Sequence, residues 1–590
     1  MCEHEETDTF VILRIITGLF LFGLGYIYKP FFLVAYLLVG ADVLFCAIKN
    51  IFKGQIFDEN FLMSLATVGA ICIKEFPEAV MVMILYQIGE YMQDKAVDKS
   101  KNSIAALMDI RPDYANLNGK KVSPTEVKIG DIITVKTGEK IPLDGIVVSG
   151  KASLDTSALT GEALPKIVED GDEVISGCIN LNGILEVKVS KPFGESTVAK
   201  ILELVENASS KKAKAENFIT KFARYYTPSV VIIACIIACI PPFYIERALT
   251  FLVISCPCAL VISIPLSFFA GIGGASSKGI LIKGSSYIEI LSKAKVAVFD
   301  KTGTLTKGNF KVVEISSDNP DLLRYAALAE AVSPHPIAEA IREAYKEKYN
   351  AEIPTNNEIE EIAGYGIRAK IEGKEILVGN AKLVNTTPVN KAGTVVYIAI
   401  DGAYQGYIVI ADTIKDDTKS AIKTLKKLGL KTEMLTGDSR TTAQNVATEI
   451  GVDEYYAELL PNDKVEKLEN TIISTKGSVI FVGDGINDAP VLTRADVGIA
   501  MGGLGSDVAI ESADVVIMDD KPSKVALAIK MAKKTMLIVK ENIIFALGVK
   551  LLFLILGGLG FVSMWGAVFA DVGVSIIAIL NSIRASYFRE

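Results

Sequence analysis

Apolar residues are bunched along this chain rather than spread through it. Long apolar runs cover about residues 9–28, 30–50, 59–74, 76–94, 226–243, 246–272, 536–558 and 562–584. A helix needs about 20 such residues to cross a bilayer, so the pattern predicts eight spanning helices arranged as hairpins. The second hairpin breaks at Lys74-Glu75-Phe76-Pro77 and the third at Pro241-Pro242. Eight crossings leave both termini on one side.

Two polar stretches separate the apolar blocks. The first, 97–212, holds short β-type runs such as Ile132-Ile133-Thr134-Val135 and Gly145-Ile146-Val147-Val148, punctuated by Gly, Asp and Pro, and predicts a mostly-β domain. The second, 285–525, alternates strand and helix. Val296-Ala297-Val298-Phe299 leads into Asp300, and Ser478-Val479-Ile480-Phe481-Val482 into Gly483-Asp484. Buried apolar strands that end in carboxylates predict a parallel α/β sheet with its chemistry at the carboxyl edge. Residues 311–408 interrupt that alternation and are expected to form an inserted domain.

Composition agrees with a membrane protein: 50% of residues are hydrophobic, 22% are charged, and mean hydropathy is +0.38. A net charge of -8 argues against nucleic acid as a partner. Lys49, Lys53, Lys95, Lys99, Lys101, Lys211, Lys212, Lys278, Lys283, Lys533 and Lys534 flank one set of span ends, against Lys29, Lys74 and Arg247 on the other. Cationic loops stay inside, so both polar stretches and both termini are expected to be cytosolic, with the chain in the cell membrane. The opening Met-Cys-Glu-His-Glu-Glu lacks the positive region of a secretory signal, and the first run is expected to be retained. Cysteines sit mostly inside apolar runs, which suggests reduced thiols rather than a disulfide framework. With His4 and His335 the only histidines, a histidine-rich metal site is excluded.

The strand-end residues suggest phosphoryl transfer. A carboxylate followed by a turn of exposed N–H groups, as in Asp300-Lys301-Thr302-Gly303-Thr304, can act as a nucleophile toward phosphorus. Alone it is as easily a capped loop. Thr436-Gly437-Asp438 offers a hydroxyl for a phosphoryl oxygen, Lys464 a neutralising charge, and Asp484 and Asp488 carboxylates suited to Mg²⁺. Four such elements in order make a purely structural origin improbable.

This set resembles the haloacid-dehalogenase phosphoryl-transfer fold, and its DKTGT signature resembles the P-type ATPases. The resemblance spans nearly the whole chain. It implies a multidomain membrane protein: an eight-helix α-helical transmembrane domain, a mostly-β actuator domain, a haloacid-dehalogenase-like α/β phosphorylation domain and an inserted α+β nucleotide-binding domain. The expected boundaries are a tail at 1–8, transmembrane helices at 9–96, 213–284 and 526–590, the actuator at 97–212, phosphorylation segments at 285–310 and 409–525, and the nucleotide domain at 311–408. Asp300 would be phosphorylated from ATP, with Lys301, Thr302, Thr436, Gly437, Asp438, Lys464 and Asn487 around it, and with Asp300, Thr302, Asp484 and Asp488 holding Mg²⁺. Soluble phosphatases of this fold carry a second Asp where Thr302 stands, so a persistent phosphoenzyme is expected. Glu162, in Thr160-Gly161-Glu162, would then position the hydrolytic water. Glu330, His335, Pro336, Gly364, Gly366, Gly379 and Asn380 match the nucleotide site of the heavy-metal members, although Pro334 is an unusual residue between Ser333 and His335.

Within the sixth run, Ser255-Cys256-Pro257-Cys258 breaks a helix and supplies two thiols. Thiolates select soft or borderline ions. Lys550 and Asp571 place charges inside apolar runs, where charge is costly and usually functional. Together they resemble the zinc/cadmium/lead branch: Cys256, Cys258 and Asp571 as ligands of the transported Zn²⁺, Cd²⁺ or Pb²⁺, Lys550 as counter-charge, and Glu78 and Glu90 along the ion path. A membrane-tethered phosphatase and a non-catalytic metal sensor are the competing readings. The first is disfavoured by Thr302 and Cys-Pro-Cys, the second by the intact Asp300, Lys464, Asp484 and Asp488. The monomer is the expected functional unit.

Overall fold

In the computed structural model the apolar runs form helices, two of which extend well beyond them. The structure describes residues 8–52, 59–106, 112–156, 165–199, 213–240, 244–255, 258–333, 335–354, 358–362, 365–389, 391, 393–484, 488–502 and 511–588. Helix Phe76–Ala106 continues beyond the apolar stretch that ends near residue 94, and Ser523–Leu559 begins ahead of the run at 536. Both extensions are rich in Ala and Lys, good helix formers that need no apolar surroundings. Of the eight expected spans, four are, among the described residues, long and apolar enough to cross a bilayer: Pro30–Phe52, Ile245–Ser276, Ser523–Leu559 and Met564–Ile583. Thr9–Gly25, Asn60–Cys72 and Tyr225–Cys239 are shorter apolar helices. Phe76–Ala106 has the length, but Glu78, Gln87, Glu90 and Gln93 dilute its apolar character.

Within the sixth run, helix Ile245–Ile254 ends at Ser255 and helix Cys258–Ser276 follows, while Cys256 and Pro257 lie outside the described residues. Helices Glu59–Cys72, Phe76–Ala106 and Ile245–Ile254 bury Ala66, Ala70, Ala79, Met83, Leu249 and Val253 in one core. Helix Phe76–Ala106 comes so close to Met564–Ile583 that a Cβ on Gly89 would lie 2.3 Å from Val572. Only glycine permits that approach, and it sets Glu90 beside the helix of Asp571.

The mostly-β part belongs to the same compact unit, Met1–Ser292 with Met531–Glu590. Its antiparallel sheet runs in the order 120–122, 115–117, 132–135, 185–189, 145–149, 173–174. Buried Asp144 ties its loops: one oxygen accepts from the Ser176 N–H and hydroxyl at 2.8 Å each, the other from those of Thr197 at 3.0 and 2.8 Å.

The second unit, Lys293–Lys530, contains two sheets. One is parallel, in the order 515–517, 497–500, 478–483, 294–300, 431–435, 454–456. Its central strands are apolar over Val296–Phe299 and Val479–Val482, as burial on both faces demands. The other is antiparallel and spans Thr306 to Ile414, with strands Thr306–Ser317 and Ala403–Ile414 paired along one edge. Helices Leu322–Ala329 and Pro336–Tyr349 pack on it through Leu323, Ala327, Ile341 and Tyr345.

Candidate functional site

Register in the parallel sheet brings the carboxyl edge together. Asp300 lies opposite Leu435, so Thr436 follows directly beside it, and Phe299 lies opposite Val482, which sets Gly483-Asp484 on the other flank. The turn Lys301–Leu305 leaves the strand with Gly303 at φ 73°, a left-handed conformation that favours glycine, and a Cβ there would reach the Asp484 carboxylate. Lys464, on helix Pro461–Ser474, donates to Asp300 at 2.6 Å and to Asp488 at 2.9 Å. Burial above all, then the Asp488 carboxylate, holds Asp300 well above the usual carboxylate range, against the pull of Lys464. Asp488 is raised for the same first reason. Lys301 turns away from Asp300, donating to Asp438 at 2.6 Å and lying 3.9 Å from Asp412. Thr436 Oγ1 accepts the Asp438 N–H at 3.1 Å. Thr304 Oγ1 is buried with no hydrogen-bond partner among the described residues.

Two anchors of this loop were not foreseen. Thr306 donates to Asp412 and to the Lys301 carbonyl. Lys415, itself buried, donates to the Gly303 carbonyl at 2.7 Å and to Asp520 at 2.6 Å. The run Asp412-Thr413-Ile414-Lys415-Asp416-Asp417 after an apolar strand was the available signal.

In the antiparallel sheet Gly366 and Gly379 face each other in register, and a Cβ on either would strike the opposite backbone at 2.2 Å. Glu330 closes helix Leu322–Ala329 close enough to Glu361 to feel its charge, and burial chiefly pushes Glu330 up to about 7. Arg342 fastens this corner by donating to the carbonyls of Glu330 and Ser333, at 2.7 Å each. His335 caps helix Pro336–Tyr349, its Nδ1 accepting the Ile337 N–H at 3.2 Å, which leaves Nε2 as the protonated nitrogen. The Asn380 carbonyl oxygen accepts from Lys382 and Leu383 N–H groups, so this side chain shapes the turn after the glycine pair.

Among the helices, Lys550 Nζ lies 2.5 Å from Asp571 and 3.3 Å from the Ile254 carbonyl, the last helical residue before the break. Glu90 and Asp571 line one cavity of about 100 Å³ with Met63, Tyr86, Gln93 and Asp94. Glu78 lies at the far end of the same helix, one carboxylate oxygen buried and unpartnered among the described residues. A further network was not foreseen: Arg14 donates at 2.8 Å to both Asp42 and Gln87, and Gln87 donates back to Asp42 at 2.9 Å. Arg14 and Asp42 interrupt apolar runs, as Lys550 and Asp571 do, and that was the missed signal.

Residues 113–206 match the P-type ATPase actuator domain, and residues 294–496 match the haloacid dehalogenase-like hydrolases. The cadmium, zinc and cobalt-transporting ATPase of Bacillus subtilis (strain 168) is 55% identical over 94% of this chain and 82% of its own length. The chain belongs to the P-type ATPases. A zinc-transporting ATPase of Synechocystis is 54% identical over 93% of this chain and 79% of its own. The crystal structure of a zinc-transporting PIB-type ATPase in its E2.Pi state aligns with a TM-score of 0.64 at 34% identity, covering 99% of this chain and 100% of that one.

In this ATPase, Asp300, Thr436, Lys464, Asp484 and Asp488 gather at the carboxyl edge of the parallel sheet, while Gly366 and Gly379 pair in the antiparallel sheet and Glu330 ends a helix packed on it. Thr302 occupies the turn after Asp300 in an extended conformation. Glu162, Cys256, Gly364 and Asn487 lie outside the described residues, and of Cys258 and Pro336 only the backbone, at helix starts, is described. The segment holding Glu162 joins strands Ala152–Asp155 and Lys166–Val168, which pair antiparallel.

Proposed function

We propose that this ATPase phosphorylates its own Asp300 from ATP and uses the phosphoenzyme to export a soft divalent cation, Zn²⁺ and also Cd²⁺ or Pb²⁺, from the cytosol across the cell membrane. The observation that carries the cargo is the buried Lys550–Asp571 pair set against the Ile254 carbonyl, at the break leading into Cys256-Pro257-Cys258. Two thiolates and a carboxylate suit Zn²⁺ or Cd²⁺ better than Cu(I), and Lys550 balances the anionic ligands once the ion has left. The names of the relatives point the same way.

On the cytosolic side, Asp300, Asp484 and Asp488, with Thr302 contributing oxygen, form a donor set that fits Mg²⁺: several carboxylates converge with Lys464 the cation that bridges two of them. Bound there, Mg²⁺ supplies charge neutralisation for the phosphate oxygens. Asp300 is the nucleophile, Lys464 holds its carboxylate in place, and Thr436, Gly437 and Thr304 offer donors to phosphoryl oxygens. Lys301 fixes Asp438, and Asn487 flanks Asp488. Without a carboxylate at 302 the phosphoenzyme persists until Glu162 orients water. ATP docks at Glu330, His335, Pro336 and the glycines 364, 366 and 379, with Asn380 shaping the turn. Glu90 lines the ion's route from the cytosol and Glu78 its far side. The functional unit is the monomer.

The test is ATP hydrolysis and acid-stable, hydroxylamine-labile labelling from ATP across a metal panel. Stimulation by Zn²⁺, Cd²⁺ and Pb²⁺ but not Cu(I) is expected, with both signals absent in Asp300→Asn. Labelling that survives in Asp300→Asn removes the nucleophile assignment, and selective Cu(I) stimulation removes the cargo assignment.

A further inference from the structure

Apolar packing between helices has little direction, so it leaves rotation and sliding soft, and directional bonds must set the register. After Asn542, helix Ser523–Leu559 carries only apolar residues apart from Lys550. On helix Met564–Ile583, Ser575 is the sole polar residue between Asp571 and Ala578. Polar side chains join these two helices at Lys550, which meets Asp571, and again at Asn542.

The buried carboxamide of Asn542 is fully used. Its Nδ2 donates to the Ala578 carbonyl at 3.1 Å and to the Ser582 hydroxyl at 3.0 Å, and its Oδ1 accepts from Asn581 Nδ2 at 2.9 Å. A carbonyl only accepts, so Ala578 decides which end of the carboxamide faces it. Ser582 donates onward to the Ser263 carbonyl at 2.9 Å, which carries the bonding to helix Cys258–Ser276.

The spacing of these bonds matches the ion pair. Lys550 stands eight residues beyond Asn542, about 12 Å along the helix. Asp571 stands seven residues before Ala578 and eleven before Ser582, about 10 and 16 Å. The two bonds of Asn542 therefore bracket the level that sets Lys550 opposite Asp571 on an antiparallel partner, where the ion pair lies at 2.5 Å. Rotating either helix by one residue position, about 100°, would swing the two charges apart.

We propose that Asn542 is a positioning residue for ion release: its carboxamide fixes helix Ser523–Leu559 against helix Met564–Ile583 so that the Lys550 ammonium meets Asp571 and competes there with the transported cation. This rests on the reading of Lys550 and Asp571 given above. Asn542 is too far along the helix to be a ligand and acts through Lys550. When its bonds are lost, the ammonium spends less time at the carboxylate. A larger fraction of the protein is then ready to accept a cation, and the apparent affinity rises in proportion. Release loses its internal competitor, and turnover slows.

Zn²⁺ binding to the purified full-length chain is measured by competition with a chromophoric chelator, with Zn²⁺-stimulated ATP hydrolysis read alongside. Asn542→Leu is expected to lower the dissociation constant for Zn²⁺ at least about threefold while the maximal rate falls about tenfold. A residue that only holds helices together would not tighten binding when removed, so Zn²⁺ binding no tighter than the parent's overturns the proposal. In a Lys550→Ala background the same substitution is expected to leave the dissociation constant within about 1.5-fold, because the effect runs through Lys550. A shift there as large as in the parent background overturns it as well. Ser582→Ala removes one bond and leaves Asn542 the Ala578 carbonyl, so it decides the matter if Asn542→Leu does not fold. About twofold tighter binding is expected of it, and binding equal to or weaker than the parent's sinks the proposal. Lys550→Ala with parental Zn²⁺ binding and turnover overturns the underlying site reading instead.

Discussion

Glu330 shows how far a single side chain departs from its type in this protein. Burial at the end of a helix moves its carboxyl from an ordinary 4.5 to about 7. The folded state therefore keeps a proton that the unfolded chain has lost between about pH 4.5 and pH 7, and stability must fall as pH rises through that window. The loss attributable to this group is at most about 3 kcal/mol. Glu330→Gln should flatten that part of the pH–stability curve and gain most, relative to the parent, above pH 7. Because Glu330 is assigned to the nucleotide corner, the half-saturating ATP concentration of the parent should also change with pH near 7, and that of Glu330→Gln should not. Thermal unfolding and steady-state ATPase assays from pH 5 to about pH 8 check both. Residues such as Asp300, Thr436 and Asp484 were legible in the sequence because each follows its own apolar strand, a purely local signal. Lys415 was not, because its importance lies in reaching Gly303 and Asp520, each more than a hundred residues away.

At the scale of elements, the apolar runs located the helices but not their ends, since helix propensity and lipid burial are separate causes and only the second leaves an apolar trace. Pairings between helices were equally silent. Arg14, Asp42 and Gln87 sit on three different helices, and no spacing along the chain relates them. Their network fastens the first hairpin to the helix of Glu90. Arg14→Met alone leaves the Asp42 carboxylate with Gln87 but without its counter-charge and should cost about 1–3 kcal/mol. Adding Asp42→Leu should restore most of that, because an apolar pair leaves no uncompensated charge. Melting of the two variants in detergent decides it: a double variant no more stable than Arg14→Met would mean that packing, not charge, holds the hairpin.

Across the whole molecule, the turn that follows Asp300 is fastened to the head of the long helix. Lys415 holds both Gly303 and Asp520, and the Ser523 N–H, where that helix starts, donates to Asp417 at 2.8 Å. Lys415→Met should lower the maximal ATPase rate at least about tenfold while the half-saturating ATP concentration moves less than about threefold, the pattern of a lost positioning contact rather than a lost binding one. Equal losses in both quantities would place Lys415 in nucleotide binding instead.

The helix that begins at that anchor runs unbroken from Ser523 to Leu559 and carries Lys550 on the way. With a rise of about 1.5 Å per residue, Lys550 lies about 40 Å along it from Ser523. A stiff rod of that length is a lever. A tilt of about 5° at its head swings the Lys550 position by about 3–4 Å, more than enough to part an ammonium from a carboxylate 2.5 Å away.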